Sequence, residues 1–178
     1  KNIPIYVAGM GPKMTRLAAE IGDGVLLSAG WSTQLVKQSI DLIRVGSRKG
    51  GRDLAKQDVA CLISFSVSED GKPDFGTQGF VACAVTQFFD EKTLQLDGIS
   101  KNEVAPVKKA FETGGFEEAA KYVTKRMVDA YSITGTAKDC VHKLREYTAA
   151  GVKLPVILPI GGCDVSAAIK AGKDFIQH

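Results

Sequence analysis

Residues 3–30, IPIYVAGMGPKMTRLAAEIGDGVLLSAG, restrict the fold more than any other stretch of the chain. Ile3-Pro4-Ile5-Tyr6-Val7-Ala8 is a short apolar run rich in β-branched and aromatic residues, which suits a buried strand. Gly9-Met10-Gly11 breaks the run, and Pro12 stands where a helix opens, its φ already helical and its missing N–H not needed there. Met14, Leu17, Ala18 and Ile21 recur at helical spacing and predict the core-facing stripe of that helix, which Gly22-Asp23-Gly24 ends. Val25-Leu26-Leu27 then predicts a second strand, stopping at Ser28-Ala29-Gly30. Strand, glycine turn, helix and strand make a βαβ unit, and its two strands should run parallel.

In parallel sheets ligands sit beyond the carboxyl ends of the strands. Here those ends are Gly9-Met10-Gly11 and Ser28-Ala29-Gly30. Glycine lets backbone approach a ligand closely, and free N–H groups at a helix start favour an anion, so a phosphate is the expected guest. The alternative is that Gly9 and Gly11 only turn the chain, as short βα loops often require. The dinucleotide fingerprint fails, because Met14 stands where its third glycine would be.

Farther along, residues 31–48 predict a long helix that Ser32 or Thr33 can cap, with Leu35, Val36, Ile40, Ile43 and Val45 as its stripe. Trp31 could close over a ligand or pack at the helix end. Residues 44–52 are basic and glycine-rich but lack GxxxxGK[ST], and they read as a solvated helix end. Residues 58–67, DVACLISFSV, predict a covered strand whose Ser64 and Ser66 either line a cavity or bond to backbone. Apolar spacing predicts three helices next: Phe80 to Phe89, Val104 to Phe111 with a break at Gly114-Gly115, and Phe116 to Val128. They form a helical excursion, residues 73–131, and its uncharged first helix is suited to face a partner chain. Thr136 predicts an N-cap for a helix ending at Gly151, then a strand at 154–158, a turn at Gly161-Gly162 that is a second candidate anion site, and a closing helix.

Four cysteines without CxxC spacing (Cys61, Cys83, Cys140 and Cys163) read as thiols in a reducing cytoplasm, with no metal site expected. His142 lies among charges in mid-helix and His178 is the last residue, so neither histidine is a convincing general base. The net charge of +3 is too small to imply nucleic acid or an anionic membrane as the main partner. No run approaches the roughly 20 apolar residues of a membrane span.

The sequence PIYVAGMGPKM…LAAEIGDGVLLSAG resembles part of the bacterial-luciferase-like flavin and deazaflavin oxidoreductases. A second match, RMVDAYSITGTAKDCVHKLREYTAAGV…PIG over residues 126–161, follows in the same family order. Within that family the two matches are most similar to the coenzyme F-420-dependent methylene-tetrahydromethanopterin reductases. The resemblance implies an α/β chain that is half of a (β/α)8 TIM barrel, strands five to eight, with the excursion before the last strand. A full barrel typically needs about 250 residues, and 178 with four predicted strands fits half of one.

On this reading residues 1–178 are a single C-terminal half-barrel: a cofactor-phosphate region at 1–67, the excursion at 73–131 and a last helix-strand-helix at 132–178. Beginning on a strand and without Met, the chain is expected to be a fragment, inactive alone. It would dock on the missing N-terminal half or on a second copy, as a homo-oligomer, because open parallel edges need covering. The resemblance further implies that Gly9, Met10, Gly11, Ser28, Ala29 and Gly30 hold the phosphate of F-420, with FMN as the alternative cofactor. Lys13 would supply the cation that Trp31 does not. No catalytic residue is assigned, since the family's acidic groups belong to the earlier half. The implied activity is hydride transfer to or from a one-carbon pterin. The alternatives are an FMN-dependent monooxygenase and a non-catalytic half-barrel acting through association.

Overall fold

Parallel strands alternating with helices make up the structure, a computed structural model that describes residues 3–28 and 31–177. Two units emerge, one of residues 1–63 and 146–156, the other of residues 64–145 and 157–178.

The first unit holds β1 (Tyr6–Gly9), α1 (Pro12–Ile21), β2 (Gly24–Leu27), α2 (Thr33–Lys49) and the opening six residues of β3 (Asp58–Val67). β1 pairs with β2 in parallel from Tyr6 opposite Gly24 to Gly9 opposite Leu27. β2 pairs with β3 from Gly24 opposite Asp58 to Leu27 opposite Cys61. Val25, Leu27, Val59 and Cys61 lie on one face of these strands and are buried, as are Ala18, Ala19, Val36 and Ile43 of the helices.

The stripe predicted for α1 is only partly right. Thr15, Ala18 and Ala19 are buried, whereas Met14, Leu17 and Ile21 face outward, 47%, 42% and 54% exposed. The cause lies in α2, which approaches through glycine. A Cβ on Gly46 would fall on the Arg16 carbonyl and 2.9 Å from the Ala19 methyl, and one on Gly50 would fall on the Glu20 carbonyl. Backbones packed this closely leave room inside for small side chains only. Val45, expected inward on α2, is likewise exposed. Ile3 and Ile5 are exposed and precede β1, because the Ile5 amide donates to the Asp23 carboxylate (2.9 Å) and not to a strand partner.

The second unit contains the rest of β3, then α3 (Phe75–Cys83), a π-helical turn (Ala84–Phe88), α4 (Glu91–Leu96), α5 (Lys101–Ala120), α6 (Lys125–Tyr131) and β4 (Ile133–Gly135). Most of α7 (Ala137–Ala149), the end of β5 (Leu154–Pro159) and α8 (Val165–Gln177) complete it. β4 was not anticipated; at three residues it carries no readable alternation, yet it pairs in parallel with β3 from Phe65 opposite Ile133 to Val67 opposite Gly135. β5 also pairs with β3. In the first unit the Lys153 amide donates to the Val59 carbonyl (2.9 Å), and in the second the Ile160 amide donates to that of Phe65 (3.0 Å).

The excursion differs in detail from its prediction. Its first helix starts earlier, at Phe75, because Asp74 caps it, and it ends in the π-helical turn. The unpredicted α4 is capped by Asp90. The two helices expected on either side of Gly114-Gly115 form one element kinked at Gly115 (φ 66°), with the rings of Phe111 and Phe116 tilted against each other across the kink, centroids 4.7 Å apart. Among the described residues no helix is long and apolar enough to cross a membrane.

Candidate functional site

The register of β1 and β2 decides where the first two predicted turns lie. Gly9 is opposite Leu27, so Met10 and Ser28 leave adjacent strand ends on the same side of the sheet. Ala29 and Gly30, assigned to the same site, lie outside the described residues. Trp31 is half-buried; its carbonyl accepts from the Tyr147 hydroxyl (2.7 Å), while the next residue, Ser32, caps α2 by accepting from the Leu35 amide (3.1 Å).

Gly9 and Gly11 have different reasons to be glycine. A Cβ on Gly9 would come within 2.8 Å of Thr15 Cα and 3.0 Å of its amide, so the crossing of strand and helix excludes a side chain there. Gly11 is extended (φ −160°, ψ 169°), a conformation open to any residue, and a Cβ on it would meet nothing within 4 Å. Nothing in the fold therefore demands glycine at position 11. What its missing side chain leaves is open space in front of the helix.

The two ends of α1 are also unequal. At its C-terminus the Gln57 amide donates to the carbonyls of Ala19 and Gly22 (both 2.9 Å), and Arg52 donates to those of Glu20 (3.0 Å) and Ile21 (2.6 Å). Gln57 is itself buried and accepts from the Ser47 hydroxyl (2.5 Å). A cation at the carbonyl end complements the helix dipole. At its N-terminus Gly11 supplies no side-chain cap, Pro12 has no N–H, and the Thr15 amide takes the Gly11 carbonyl (2.8 Å). The amides left without a helical partner are those of Lys13 and Met14. The sequence reading invoked the N–H groups of this helix start without assigning them to Lys13 and Met14, to which Pro12 at the first helical position directs them. Lys13 is exposed, Met10 is 62% exposed, and Arg16 folds back to the Pro12 carbonyl (3.2 Å), so positive charge borders this helix start.

The second predicted anion turn, Gly161-Gly162, is filled from within the chain, which corrects that expectation. The Asp74 carboxylate accepts from the Gly162 amide and from the Thr77 amide (2.6 Å), and a Cβ on Gly161 would collide with it. Desolvation resists ionisation of Asp74, but hydrogen bonds from Thr77, Gly162 and Gly76 outweigh it and hold the carboxyl below the usual range.

The polar face of β3 is buried. Ser66 lies opposite Thr134, and the Ser132 hydroxyl donates to the Val128 carbonyl (2.8 Å) and lies 3.1 Å from that of Thr134. The Ser64 hydroxyl has no partner among the described residues. Burial pushes the thiols of Cys61 and Cys140 up to about 12. His142 is exposed and lines a groove of about 840 Å³ between α7 and α8, where Lys138, Arg145 and Lys170 are balanced by Glu69, Asp164 and Asp174.

Residues 1–154 match the family model described as luciferase-like monooxygenase. The 5,10-methylenetetrahydromethanopterin reductase of Archaeoglobus fulgidus is 33% identical over 182 residues, covering 98% of this chain and 54% of the relative. Among solved structures, the coenzyme F420 dependent tetrahydromethanopterin reductase of Methanopyrus kandleri superposes with a TM-score of 0.87 at 30% identity, over 99% of this chain and 51% of that one. An F420-dependent secondary alcohol dehydrogenase in complex with an F420-acetone adduct shares the fold at a TM-score of 0.70 and 22% identity, over 99% of this chain and 49% of that one. The chain thus spans about half the length of the relatives it matches.

Proposed function

The chain belongs to the luciferase-like monooxygenase family, and from that premise we propose that it forms part of an F-420-dependent oxidoreductase acting on a one-carbon group of a reduced pterin. The observation that carries the reading is the start of α1: an uncapped helix N-terminus, open space in front of Gly11, and a fully satisfied C-terminus at the other end. This arrangement fits the phosphate of F-420. The amides of Lys13 and Met14 would donate to it, Gly11 would leave room for it, and Met10 and Ser28 would flank it, with Gly9, Ala29 and Gly30 completing the two turns. Lys13 supplies the nearby positive charge. F-420, when bound, carries the hydride; these residues hold and orient its tail. The names of the relatives support the pterin as substrate, and no residue of this chain is assigned to the chemical step.

In this reading β1, β2, β3 and β5 are four successive strands of a family barrel. The outward Met14, Leu17 and Ile21 of α1, together with Ile3 and Ile5, are the apolar surface on which further barrel units or a second copy would rest. Four free thiols suit a reducing, cytoplasmic setting.

Titrating F-420 and FMN against the protein and against Gly11→Glu tests the site. Saturable F-420 binding that weakens at least tenfold in the variant is expected, about 1.4 kcal/mol. Preference for FMN would move the chain to the flavin monooxygenases of its family. Binding of neither cofactor would leave a half-barrel that acts by association.

A further inference from the structure

We propose that Tyr147 is a positioning residue for the phosphate turn, anchoring the far end of the stretch that leaves β2 so that it is ordered before an anion binds. The inference rests on the phosphate reading of α1 and extends it to a residue outside the two turns. The register of β2 fixes one end of the stretch, since Leu27 lies opposite Gly9 of β1 and opposite Cys61 of β3. The other end is Trp31, the residue before the cap of α2. The first carbonyl that this helix uses is that of Ser32, which accepts from the Val36 amide (2.9 Å), so the Trp31 carbonyl has no helical amide to meet. A partly buried carbonyl needs a donor, and the Tyr147 hydroxyl supplies it at 2.7 Å, from 116 residues away.

Tyr147 is itself a fixed post. It is buried in the last turn of α7, which belongs to the first unit. Directly after it the chain is tied down repeatedly. The Val152 amide donates to the Tyr147 carbonyl (3.1 Å) and closes the helix end. Gly151, at φ 116°, comes so close to α2 that a Cβ there would stand 2.8 Å from Ile40 Cδ1. The Lys153 amide donates to the Val59 carbonyl of β3 (2.9 Å), and its ammonium donates to the carbonyls of Leu54, Ala55 and Gln57 (2.8 Å each). Through Tyr147, Trp31 is therefore held to the same sheet that carries Gly9. A stretch anchored at both ends has fewer conformations to lose when a ligand is bound, so less binding energy goes into ordering it.

Calorimetric titration of F-420 into the folded protein and its variants tests the anchor. Tyr147→Phe keeps the buried ring and removes only the donor, and affinity is expected to fall at least about threefold. Ile43→Val loosens the core of the same unit to a similar degree, away from the turns, and should leave affinity unchanged. Affinity retained in Tyr147→Phe while Gly11→Glu weakens it would overturn this inference alone. Affinity retained in both would overturn the phosphate reading and the anchor with it. An equal loss in Ile43→Val and Tyr147→Phe would reduce the effect to general loosening and overturn the anchor as well. Should Tyr147→Phe fail to fold, Trp31 decides, as the only tryptophan of the chain. Its fluorescence anisotropy in the parent protein should stay constant up to saturating inorganic phosphate, because the turn is ordered beforehand; a rise on binding would overturn the proposal.

Discussion

The turns after β1 and β5 look alike in sequence, each a glycine pair at a strand end before a helix, and they end up in opposite electrostatic states. At Gly161-Gly162 the protein delivers its own anion, Asp74, and α8 is capped again by Asp164, whose carboxylate accepts from the Ala167 amide (3.0 Å). At Gly9-Met10-Gly11 the N-cap residue, Gly11, supplies no side-chain cap to the helix start. Glycine before a helix is therefore not by itself the mark of a ligand site. The question that separates the two is whether a carboxylate from elsewhere in the chain already satisfies the amides.

The largest effect expected from this contrast is on folding, at Gly9. Gly9→Val would force β1 and α1 apart at Thr15 and should cost about 3 kcal/mol in urea unfolding, with any smaller variant still costing at least about 1 kcal/mol. Asp74→Ala comes next. It strips the second turn of its internal anion and α3 of its cap, at a cost of about 2 kcal/mol. Millimolar sulfate should restore part of that loss in the variant and leave the parent protein unchanged, because only the variant has vacant amides at Gly162 and Thr77.

Acid should probe the same contact. Because the folded pKa of Asp74 is depressed, its contribution is complete above the unfolded carboxylate pKa near 4 and disappears as pH falls through the lower folded value. Unfolding curves from pH 5 to pH 2 should therefore be steeper for the parent than for Asp74→Asn. The smallest effect on stability is expected at Gly11. Gly11→Ala should change it by less than about 0.5 kcal/mol, since the backbone there is extended and the space open, while F-420 affinity falls. A large stability loss in Gly11→Ala would erase the distinction between the two glycines.

What could be read from the sequence was what neighbouring residues decide. β3 runs from Asp58 to Val67 as its unbroken apolar pattern predicts, Ser32 caps α2, and Thr136 opens α7 in a reciprocal bond with Asp139. The parallel pairing of β1 with β2 followed from the order strand, helix, strand. What stayed hidden depends on distant partners. Periodicity marked Met14, Leu17 and Ile21 as a stripe, but it could not tell that glycines of α2 would claim the other face of the helix. Asp74 caps α3 ahead of the helix that the apolar spacing predicts, and nothing in residues 73–77 reveals that its second oxygen meets Gly162. For the proposed phosphate site, the glycines and the opening of the helix could be singled out from the sequence, whereas which amides are left over could not, because those of Lys13 and Met14 carry no mark in their side chains.

The seating of α1 on Gly46 and Gly50 carries a thermodynamic corollary. With its carbonyls pressed against the bare backbone of a neighbouring helix, α1 cannot slide or roll to greet an incoming charge. On the proposed reading of this helix start, its dipoles would be aimed in advance, and little reorganisation would be spent on binding an anion.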